Sequence, residues 1–476
     1  MPAKGDTGTM LFSSISFLYY FFPAVLLIYF AVPKKVKNIV LLLASLLFYF
    51  YGEQGYVLLL LFSSATGYIV GLLIDKYRGT GKAKLALLVC VLLNLLLLGF
   101  FKYADFFIEN INALLGTNLA YLRVSLPLGI SFFVFQTISY AVDVYRKDVP
   151  ADRNAIDFTM YVSMFPQLVA GPIVRYHTVA REIRGRTHSF EAFSGGIGRF
   201  AVGLGKKVLI SNALGELSGI MLATAAPTVL SHWVSIIAYV LQIYFDFSGY
   251  SDMAIGLGRM FGFNFPENFN YPFIAKSISD FWRRWHISMG TWFREYLYIP
   301  LGGNRVSRLK WVRNIFIVWF CTGFWHGAEW NFILWGLYFG VLLACEKLFW
   351  GKLIDKAAGW IRHVYTLALV FFSFVIFYIE NPADMFAHIG AMFGGSGLLA
   401  ANTESLYYLR SYALLLVAAC IGATPLLKNL ATRLRETPKG NVIMAVLQPA
   451  FYVLLLMITT GYLVDSTFNP FLYFRF

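Results

Sequence analysis

Two histidines stand among aromatic side chains, where a residue able to exchange a proton is unexpected. His326 lies in TGFWHGAEWNFILWG, residues 322–336. A neutral imidazole is well suited to accept a proton near neutral pH, and exclusion of water helps to keep it neutral. His326 can therefore be a general base, or it can be a core residue hydrogen-bonded to Thr322 or Trp330, one helical turn away on either side.

The second histidine, His286, lies in DFWRRWHISMGTWFREYLYIP, residues 280–300. One interpretation of this segment is an ion-pair network at the membrane interface, built from Asp280, Arg283, Arg284, Arg294 and Glu295. The planar guanidinium of arginine also matches phosphate groups. Arg283, Arg284 and Arg294 are therefore candidates to bind a phosphate-bearing donor.

Other polar residues in apolar surroundings need an explanation. Glu329 follows His326 by three positions, so on a continuous helix it shares a face with the imidazole and either orients the ring or accepts from an arginine. Asp246 and Asp252 lie inside an apolar segment, where carboxylates are paired or line a polar path. We expect these three residues and Trp325 to face the protein interior.

The other five histidines stand near charged loops or at the ends of apolar segments, and we expect them to be interfacial or solvated; they are His177, His188, His232, His363 and His388. The four cysteines occur singly, and no HExxH or CxxC motif is present, so we expect no metal site and no resident cofactor.

The composition determines the class of protein. Of the 476 residues, 58% are hydrophobic and 13% are charged, against roughly 25% charged residues in soluble proteins. The net charge of +14 comes from short basic loops between apolar segments, which follows the positive-inside pattern and argues against nucleic-acid binding. We predict an all-α polytopic protein of the cytoplasmic membrane.

Hydrophobic segments of sufficient length predict about eleven transmembrane helices within a single domain, residues 1–476, with the N-terminus and the C-terminus outside. The predicted spans are residues 12–32, 39–51, 57–74, 85–101, 124–145, 195–222, 233–263, 312–338, 364–379, 412–426 and 442–464. Two other segments are interrupted or too cationic to cross cleanly. Residues 160–175 are predicted to form a kinked or re-entrant element, and residues 273–300 an interfacial or re-entrant one.

Several long motifs together resemble the bacterial membrane-bound O-acyltransferases, in the branch of the alginate O-acetylation membrane protein and the peptidoglycan O-acetyltransferase membrane subunit. The core of the resemblance covers residues about 120–350, and its motifs are LPLGISFFVFQTISYAVDVYR (126–146), FPQLVAGPIVRY (165–176), YFDFSGYSDMAIGLGRMFGFNFPENFNYPF (244–273), DFWRRWHISMGTWFREYLYIPLGGNR (280–305) and TGFWHGAEWNFILWG (322–336).

The resemblance implies acyl transfer from a cytoplasmic donor, acetyl-CoA, to an acceptor across the membrane, through helices that enclose a central tunnel. The histidine of the family's WHG motif is its catalytic residue and falls on His326, the expected general base. An upstream polar position of the family falls on His286, and we expect His286 or a nearby backbone donor to position the thioester or to stabilise the developing oxyanion. The family carries no role onto Glu329. The implied product is an O-acetylated polysaccharide, alginate-like or peptidoglycan. The implied partner is a periplasmic or extracellular SGNH hydrolase-like acetyltransferase that completes the transfer.

The C-terminal tail, residues 469–476, reads NPFLYFRF. Aromatic tails can anchor a chain at the lipid headgroups. This one also resembles the C-terminal hexapeptide of the small subunit that accompanies the family's D-alanyl-transferring member, which makes Tyr473 a candidate acyl relay. The alternatives to an enzyme are a proton-coupled transporter that uses the intramembrane histidines and aspartates, and a structural subunit of a polysaccharide export complex.

Overall fold

The structure is a computed structural model that describes residues 10–169, 171–395, 397–465 and 472. Every regular element in these ranges is helical, which confirms the all-α prediction. The chain forms two compact units. The first contains the described residues of Met1–Phe200, Tyr250–Pro266 and Leu463–Phe474, and the second contains those of Ala201–Gly249 and Glu267–Tyr462.

The helices of the first unit include all those before residue 190. They are α1 (Phe22–Ala31), α2 (Lys37–Glu53), α3 (Val57–Lys76), α4 (Gly81–Leu115), α5 (Ile130–Arg146), α6 (Ala155–Ser163), α7 (Phe165–Leu168) and α8 (Tyr176–Gly185). Two further helices, α9 (Phe190–Gly205) and α11 (Val229–Met260), contribute residues to each unit.

Apart from residues 463–465, which belong to the first unit, the second unit contains the remaining helices. They are α10 (Asn212–Ala223), α12 (Ile278–Trp282), α13 (Ile287–Phe293), α14 (Arg308–His326), α15 (Trp330–Cys345), α16 (Gly351–Lys356), α17 (Gly359–Tyr378), α18 (Pro382–Met392), α19 (Thr403–Ser411), α20 (Ala413–Gly422), α21 (Leu426–Arg435) and α22 (Pro438–Asp465).

Within the described ranges, six helical runs are long and apolar enough to cross a membrane, or seven if the bent pair α19 and α20 forms one span. The chain is therefore a multi-pass membrane protein. The sequence predicts about eleven spans; the difference arises because several predicted spans correspond to short or broken helices. The first predicted span, for example, is a helical run of Phe17–Ala31 only, and one of the six runs, Lys34–Lys76, contains both α2 and α3.

The predicted break within residues 160–175 is present in the first unit. Helix α6 ends at Ser163, and the single-turn helix α7 follows at once. The described residues between α7 and α8 are irregular, and those from Phe165 to Val174 are buried. Irregular backbone at membrane depth requires cover by protein, and these residues have it. The segment 273–300 is likewise divided, into α12, α13 and turns.

The prediction of one continuous span over residues 312–338 is wrong. Helix α14 ends at His326, and α15 begins at Trp330. Hydropathy did not reveal this break because the residues on both sides of it are apolar. The two helices form a tight hairpin, in which a Cβ on Gly336 would lie 3.0 Å from the Cα of Gly323. Such close backbone contact is typical of small residues at membrane helix crossings.

Candidate active site

His326 is the last residue of α14, and the direction of the backbone changes directly after it. Gly327 has an extended conformation (φ −163°, ψ 162°). A Cβ at this position would collide with the ring of Phe332, so a side chain is excluded by space. Where α14 and α15 cross, a Cβ on Gly336 would collide with the carbonyl oxygen of Trp319. The backbone contacts of this hairpin therefore fix the position of His326.

Aromatic rings enclose the imidazole of His326. Ring centroids lie 5.1 Å away for Trp325, 5.0 Å for Trp335 and 5.6 Å for Phe377, all three in edge-to-face geometry. His326 is 7% exposed. The imidazole therefore sits in a largely water-excluded aromatic cage within the second unit.

His286 precedes α13 and adopts a left-handed backbone conformation (φ 43°, ψ 54°). Its ring is fully buried, and Nδ1 lies 3.0 Å from Oδ1 of Asn268. The same oxygen accepts hydrogen bonds from the backbone N–H of Ser288 (3.1 Å) and from its hydroxyl (2.9 Å). The Asn268 oxygen is thus an acceptor, so Nδ1 of His286 carries the proton and Nε2 carries the lone pair.

His286 lies outside the candidate membrane-spanning helices, and burial lowers its pKa to about 3. The ring is therefore neutral across the physiological pH range. It can accept a proton or a hydrogen bond through Nε2. The sequence did not single out Asn268, which lies in the irregular segment FNFPENFNYP; a buried amide in an aromatic run was the available signal.

The structure brings the two predicted histidines to one aromatic residue. The centroid of Trp325 lies 6.1 Å from that of His286 and 5.1 Å from that of His326. The two imidazoles, 40 positions apart in the chain, thus both pack against the same indole. The expectation that Trp325 faces the interior agrees with its burial.

Three polar atoms next to this cage are buried and make no hydrogen bond to any described residue: Nε1 of Trp335, Nε1 of Trp282 and Oδ1 of Asn331. Trp335 stands edge-on to His326, and the Trp282 ring centroid lies 5.6 Å from that of Trp335. The Asn331 amide is held by a 3.0 Å bond from Nδ2 to the carbonyl of Phe377. Each unsatisfied buried group costs about 1–3 kcal/mol. A bound substrate can supply the missing partners.

The three candidate donor-binding arginines lie in different environments. Arg284 donates from Nε to Asp280 (3.1 Å) and is part of the ion-pair network that the sequence suggests. Arg294 lies 3.1 Å from Glu295, and its side chain is 67% exposed. Arg283 is exposed. The side chain of Arg283 is therefore accessible to a soluble anion, whereas that of Arg284 is engaged.

The two intramembrane aspartates are ion-paired. In the second unit, Asp246 and Lys207 are both buried, with Nζ 2.5 Å from Oδ1. In the first unit, Arg199 donates from Nε (3.0 Å) and Nη2 (2.8 Å) to Asp252. Compensated carboxylates of this kind are typical of structural pairs. They give no support to the proton-pathway alternative.

Glu329 and His326 do not share a helical face, because α14 ends at His326 and Glu329 caps α15 in extended conformation (φ −145°, ψ 155°). Glu329 is exposed, so its predicted interior location is wrong. Tyr473 lies outside the described residues, and its relay role stays a prediction. Among the residues described, no group of three histidine, cysteine or acidic side chains is placed to hold a metal ion.

Comparison with known proteins agrees with the resemblance found in the motifs. Residues 83–383 match the model of MBOAT, the membrane-bound O-acyltransferase family. A probable alginate O-acetylase AlgI of Azotobacter vinelandii is 39% identical over 450 residues, which covers 87% of this chain and 90% of the relative.

Two relatives with other names are more distant. A peptidoglycan O-acetyltransferase of Helicobacter pylori is 38% identical over 62% of this chain and 61% of its own length. A teichoic acid D-alanyltransferase of Bacillus subtilis is 30% identical over 47% of this chain and 60% of its own length. The matched region contains His286, His326 and the cage around them. The chain therefore belongs to the membrane-bound O-acyltransferase family and is an O-acyltransferase.

Proposed function

We propose that the protein takes an acetyl group from acetyl-CoA in the cytoplasm and passes it across the membrane for O-acetylation of an extracytoplasmic polysaccharide, alginate-like or peptidoglycan. Similarity to an alginate O-acetylase over 87% of the chain supports the reaction type. The observation that carries the assignment to a site is the packing of the His326 imidazole 5.0 Å, between ring centroids, from the indole of Trp335, whose N–H makes no hydrogen bond to any described residue.

In the proposed chemistry, His326 removes the proton from an attacking hydroxyl, and the oxygen forms a bond to the thioester carbonyl carbon. The negative charge that develops on the carbonyl oxygen accepts a hydrogen bond from Nε1 of Trp335. The carbon–sulfur bond then breaks, and the imidazolium of His326 gives its proton to the departing thiolate. General-base assistance contributes about 10²- to 10⁴-fold, and one oxyanion donor about 10²- to 10³-fold.

His286 is suited to a different role in this scheme. Its Nδ1–H is directed to Asn268, and its neutral ring presents a lone pair on Nε2. Such a ring accepts from a hydroxyl and cannot donate to an oxyanion. We therefore assign the oxyanion to Trp335. The single proton of the attacking hydroxyl goes to His326, so we assign to His286 a hydrogen bond accepted from a second donor group on the bound substrates.

The proposed arrangement in the cell follows from the basic loops. The positive-inside pattern favours a location in the cytoplasmic membrane with both termini outside. A passage must then reach His326 from both faces. The polysaccharide requires a partner, and we propose an SGNH hydrolase-like acetyltransferase outside the membrane. Loss of O-acetyl groups from one surface glycan of a deletion strain identifies the polymer.

We further propose that Tyr473 carries the acetyl group as an ester before the partner receives it. Its phenol oxygen would attack the thioester with His326 as the base. Mass analysis of C-terminal peptides, after incubation with acetyl-CoA and no acceptor, would show an added acetyl group on Tyr473. An unmodified Tyr473 in protein that turns over acetyl-CoA excludes the relay.

The main test compares His326→Ala with a control histidine. His177 is a suitable control because it lies in the first unit, is 36% exposed and pairs with Asp143. We expect His326→Ala to lower acetyl transfer from acetyl-CoA by at least about 100-fold. His177→Ala should leave the rate within about twofold. Equal melting temperatures for the two variants would show that the loss is chemical.

Trp335→Phe tests the oxyanion assignment separately, because phenylalanine keeps most of the ring and removes the N–H. We expect kcat to fall with little change in KM, since the hydrogen bond forms in the transition state. Acetyl transfer that survives His326→Ala would refute the catalytic role of this residue. Polymer acetylation that survives the same change in cells would favour the structural-subunit alternative.

A further inference from the structure

A second group of polar and cationic side chains lies in the first unit, around the buried Tyr29. We call Lys34, Lys37, Arg186 and His188 the basic cluster. Arg186 donates from Nε to the hydroxyl of Tyr29 (2.7 Å), and Nε2 of His188 lies 2.9 Å from the same oxygen. The cluster joins the start of α2 to the chain that follows α8.

Arg186 holds a fixed position but is incompletely satisfied. Its Nη1 donates to Oδ1 of Asn38 (2.6 Å), and its guanidinium carbon lies 4.8 Å from the ring centroid of Phe263. Its Nη2 is buried and makes no hydrogen bond to any residue that the structure describes. A buried guanidinium donor without an acceptor is costly. A ligand oxygen at this point would remove that cost.

Lys37 lies over aromatic faces and has no anionic partner within the part of the chain that the structure describes. Its Nζ lies 4.5 Å from the ring centroid of Tyr29 and 4.9 Å from that of Phe30. Among the described residues, no carboxylate lies within 4.0 Å of the charged nitrogens of Lys34, Lys37 or Arg186. The cluster therefore concentrates three positive charges that form no ion pair with a described carboxylate.

The carboxylates on neighbouring helices have other partners. Asp157 accepts from the amide of Asn38 (2.7 Å). Glu182 accepts from the side chain (2.7 Å) and the backbone N–H (3.1 Å) of Asn264. Amides thus bind the acids that could neutralise the cluster.

The positive charge of the cluster also affects the pKa of His188, which lies outside the candidate membrane-spanning helices. Burial lowers the pKa of His188, and the cations of Lys37 and Arg186 lower it further. The imidazole thus senses a positive potential, which is the electrostatic condition for an anion site.

We propose that the basic cluster binds a phosphate group, with Nη2 of Arg186 donating to a phosphate oxygen and the two lysines supplying charge. A planar guanidinium with a free N–H matches phosphate geometry. Lys34 begins a candidate membrane-spanning run, so the site lies at the end of that run. Two sources offer this chemistry there: the headgroup of an anionic phospholipid, and a soluble phosphorylated nucleotide. The proposal is independent of the chemistry at His326.

The test uses two double variants with equal loss of charge. Lys34→Gln/Lys37→Gln removes the lysines of the cluster. Lys82→Gln/Lys84→Gln is the matched control in the same unit, because Lys82 also lies over a tyrosine ring, 5.2 Å from the centroid of Tyr77. Native mass spectrometry of the full-length protein in neutral detergent measures binding of phosphatidylglycerol and, separately, of adenosine 3′,5′-bisphosphate.

We expect the cluster variant to bind one probe roughly 30-fold more weakly than the wild type, from about fivefold for each lysine near a charged surface. The control variant should bind as the wild type does. Loss confined to phosphatidylglycerol identifies a lipid headgroup as the ligand, and loss confined to the bisphosphate identifies a soluble nucleotide. Equal binding of both probes by the two double variants would overturn the proposal.

Arg186→Lys gives a second measurement that does not depend on the total charge. It preserves the cation and removes the planar fork, so we expect weaker binding of whichever probe the lysine pair selects. Arg186 also donates hydrogen bonds to Tyr29 and Asn38. The melting temperature of the variant must therefore be compared with that of the wild type. Full binding by a folded Arg186→Lys protein would contradict the assigned contact with Nη2.

Discussion

The substitution Gly336→Ala, which adds one methyl group, tests whether the contact between α14 and α15 positions the catalytic residues. Gly336 lies on α15 where it crosses α14. A Cβ there would collide with the carbonyl oxygen of Trp319 and lie 3.0 Å from the Cα of Gly323, whereas ordinary contact begins at 3.4 Å. The obstructing atoms belong to the backbone and cannot rotate away. The two helices must therefore separate by roughly 1 Å to restore van der Waals distances.

That separation acts directly on the proposed catalytic pair. His326 ends α14, and Trp335 precedes Gly336 on α15, so movement of one helix changes the distance between the imidazole and the indole N–H. Overpacking of this kind costs about 1–3 kcal/mol of stability. A misplacement of about 1 Å can lower a rate by roughly 100-fold. We expect a lower melting temperature and a larger relative loss of acyl transfer.

Gly340→Ala is the matched control, one helical turn further along α15. A Cβ there would lie 3.4 Å from the Cβ of Trp319, an ordinary contact. Both variants are purified in the same detergent and compared by melting temperature and initial rate of acyl transfer. If Gly336→Ala retains the rate of Gly340→Ala, contact between the two helices of the hairpin does not set the position of His326.

Three further outcomes follow from buried polar groups. Lys207→Met should lower the free energy of unfolding by about 3–5 kcal/mol, because it removes the cation that pairs with the buried Asp246. A denaturation midpoint that recovers with the added change Asp246→Leu would support this reasoning. An unchanged midpoint for the single variant would contradict it. Asn268→Ala should lower acyl transfer by roughly tenfold, because His286 loses the hydrogen bond that orients it. ¹⁵N spectra should then show that His286 no longer keeps its proton on Nδ1, and an unaltered tautomer would exclude the positioning role. Burial lowers the pKa of His388 to about 4, so the unfolded chain binds more protons than the folded one between pH 4 and about 6.5. The melting temperature should therefore fall as the pH is lowered through this window, and it should fall less steeply for His388→Gln. Equal slopes for the two proteins would refute the linkage.

The sequence was informative where a single physical signal was strong. The division of this region into α2 and α3 was predictable because two apolar runs flank the polar residues 52–55. The break within residues 160–175 was marked by Pro166 and Gly171, residues that interrupt helices at membrane depth. The prediction that His326 is a site residue rests on one imidazole in an aromatic run, and the structure shows that this imidazole is buried among aromatic rings.

The remaining features depend on contacts between distant residues. Apolar content could not show that α14 ends at His326, because that end results from packing of Gly327 against Phe332. The interior location predicted for Glu329 is therefore wrong, because it assumed that one continuous helix carries both His326 and Glu329. His232 and His388 were expected at the interface, yet their Nδ1 atoms lie 2.9 Å apart and His388 is 5% exposed. Pairing across 156 positions leaves no local pattern in the sequence.

The left-handed backbone at His286 has an evolutionary consequence. A non-glycine residue in a sparsely populated conformation of this kind costs of order 1–3 kcal/mol, and asparagine tolerates this region more readily than most side chains. If selection for transfer activity were relaxed, drift at this position should favour substitutions that relieve the strain. Descendants that keep the scaffold but have lost the activity should therefore carry asparagine or glycine at position 286 and resist heat better than their active ancestors.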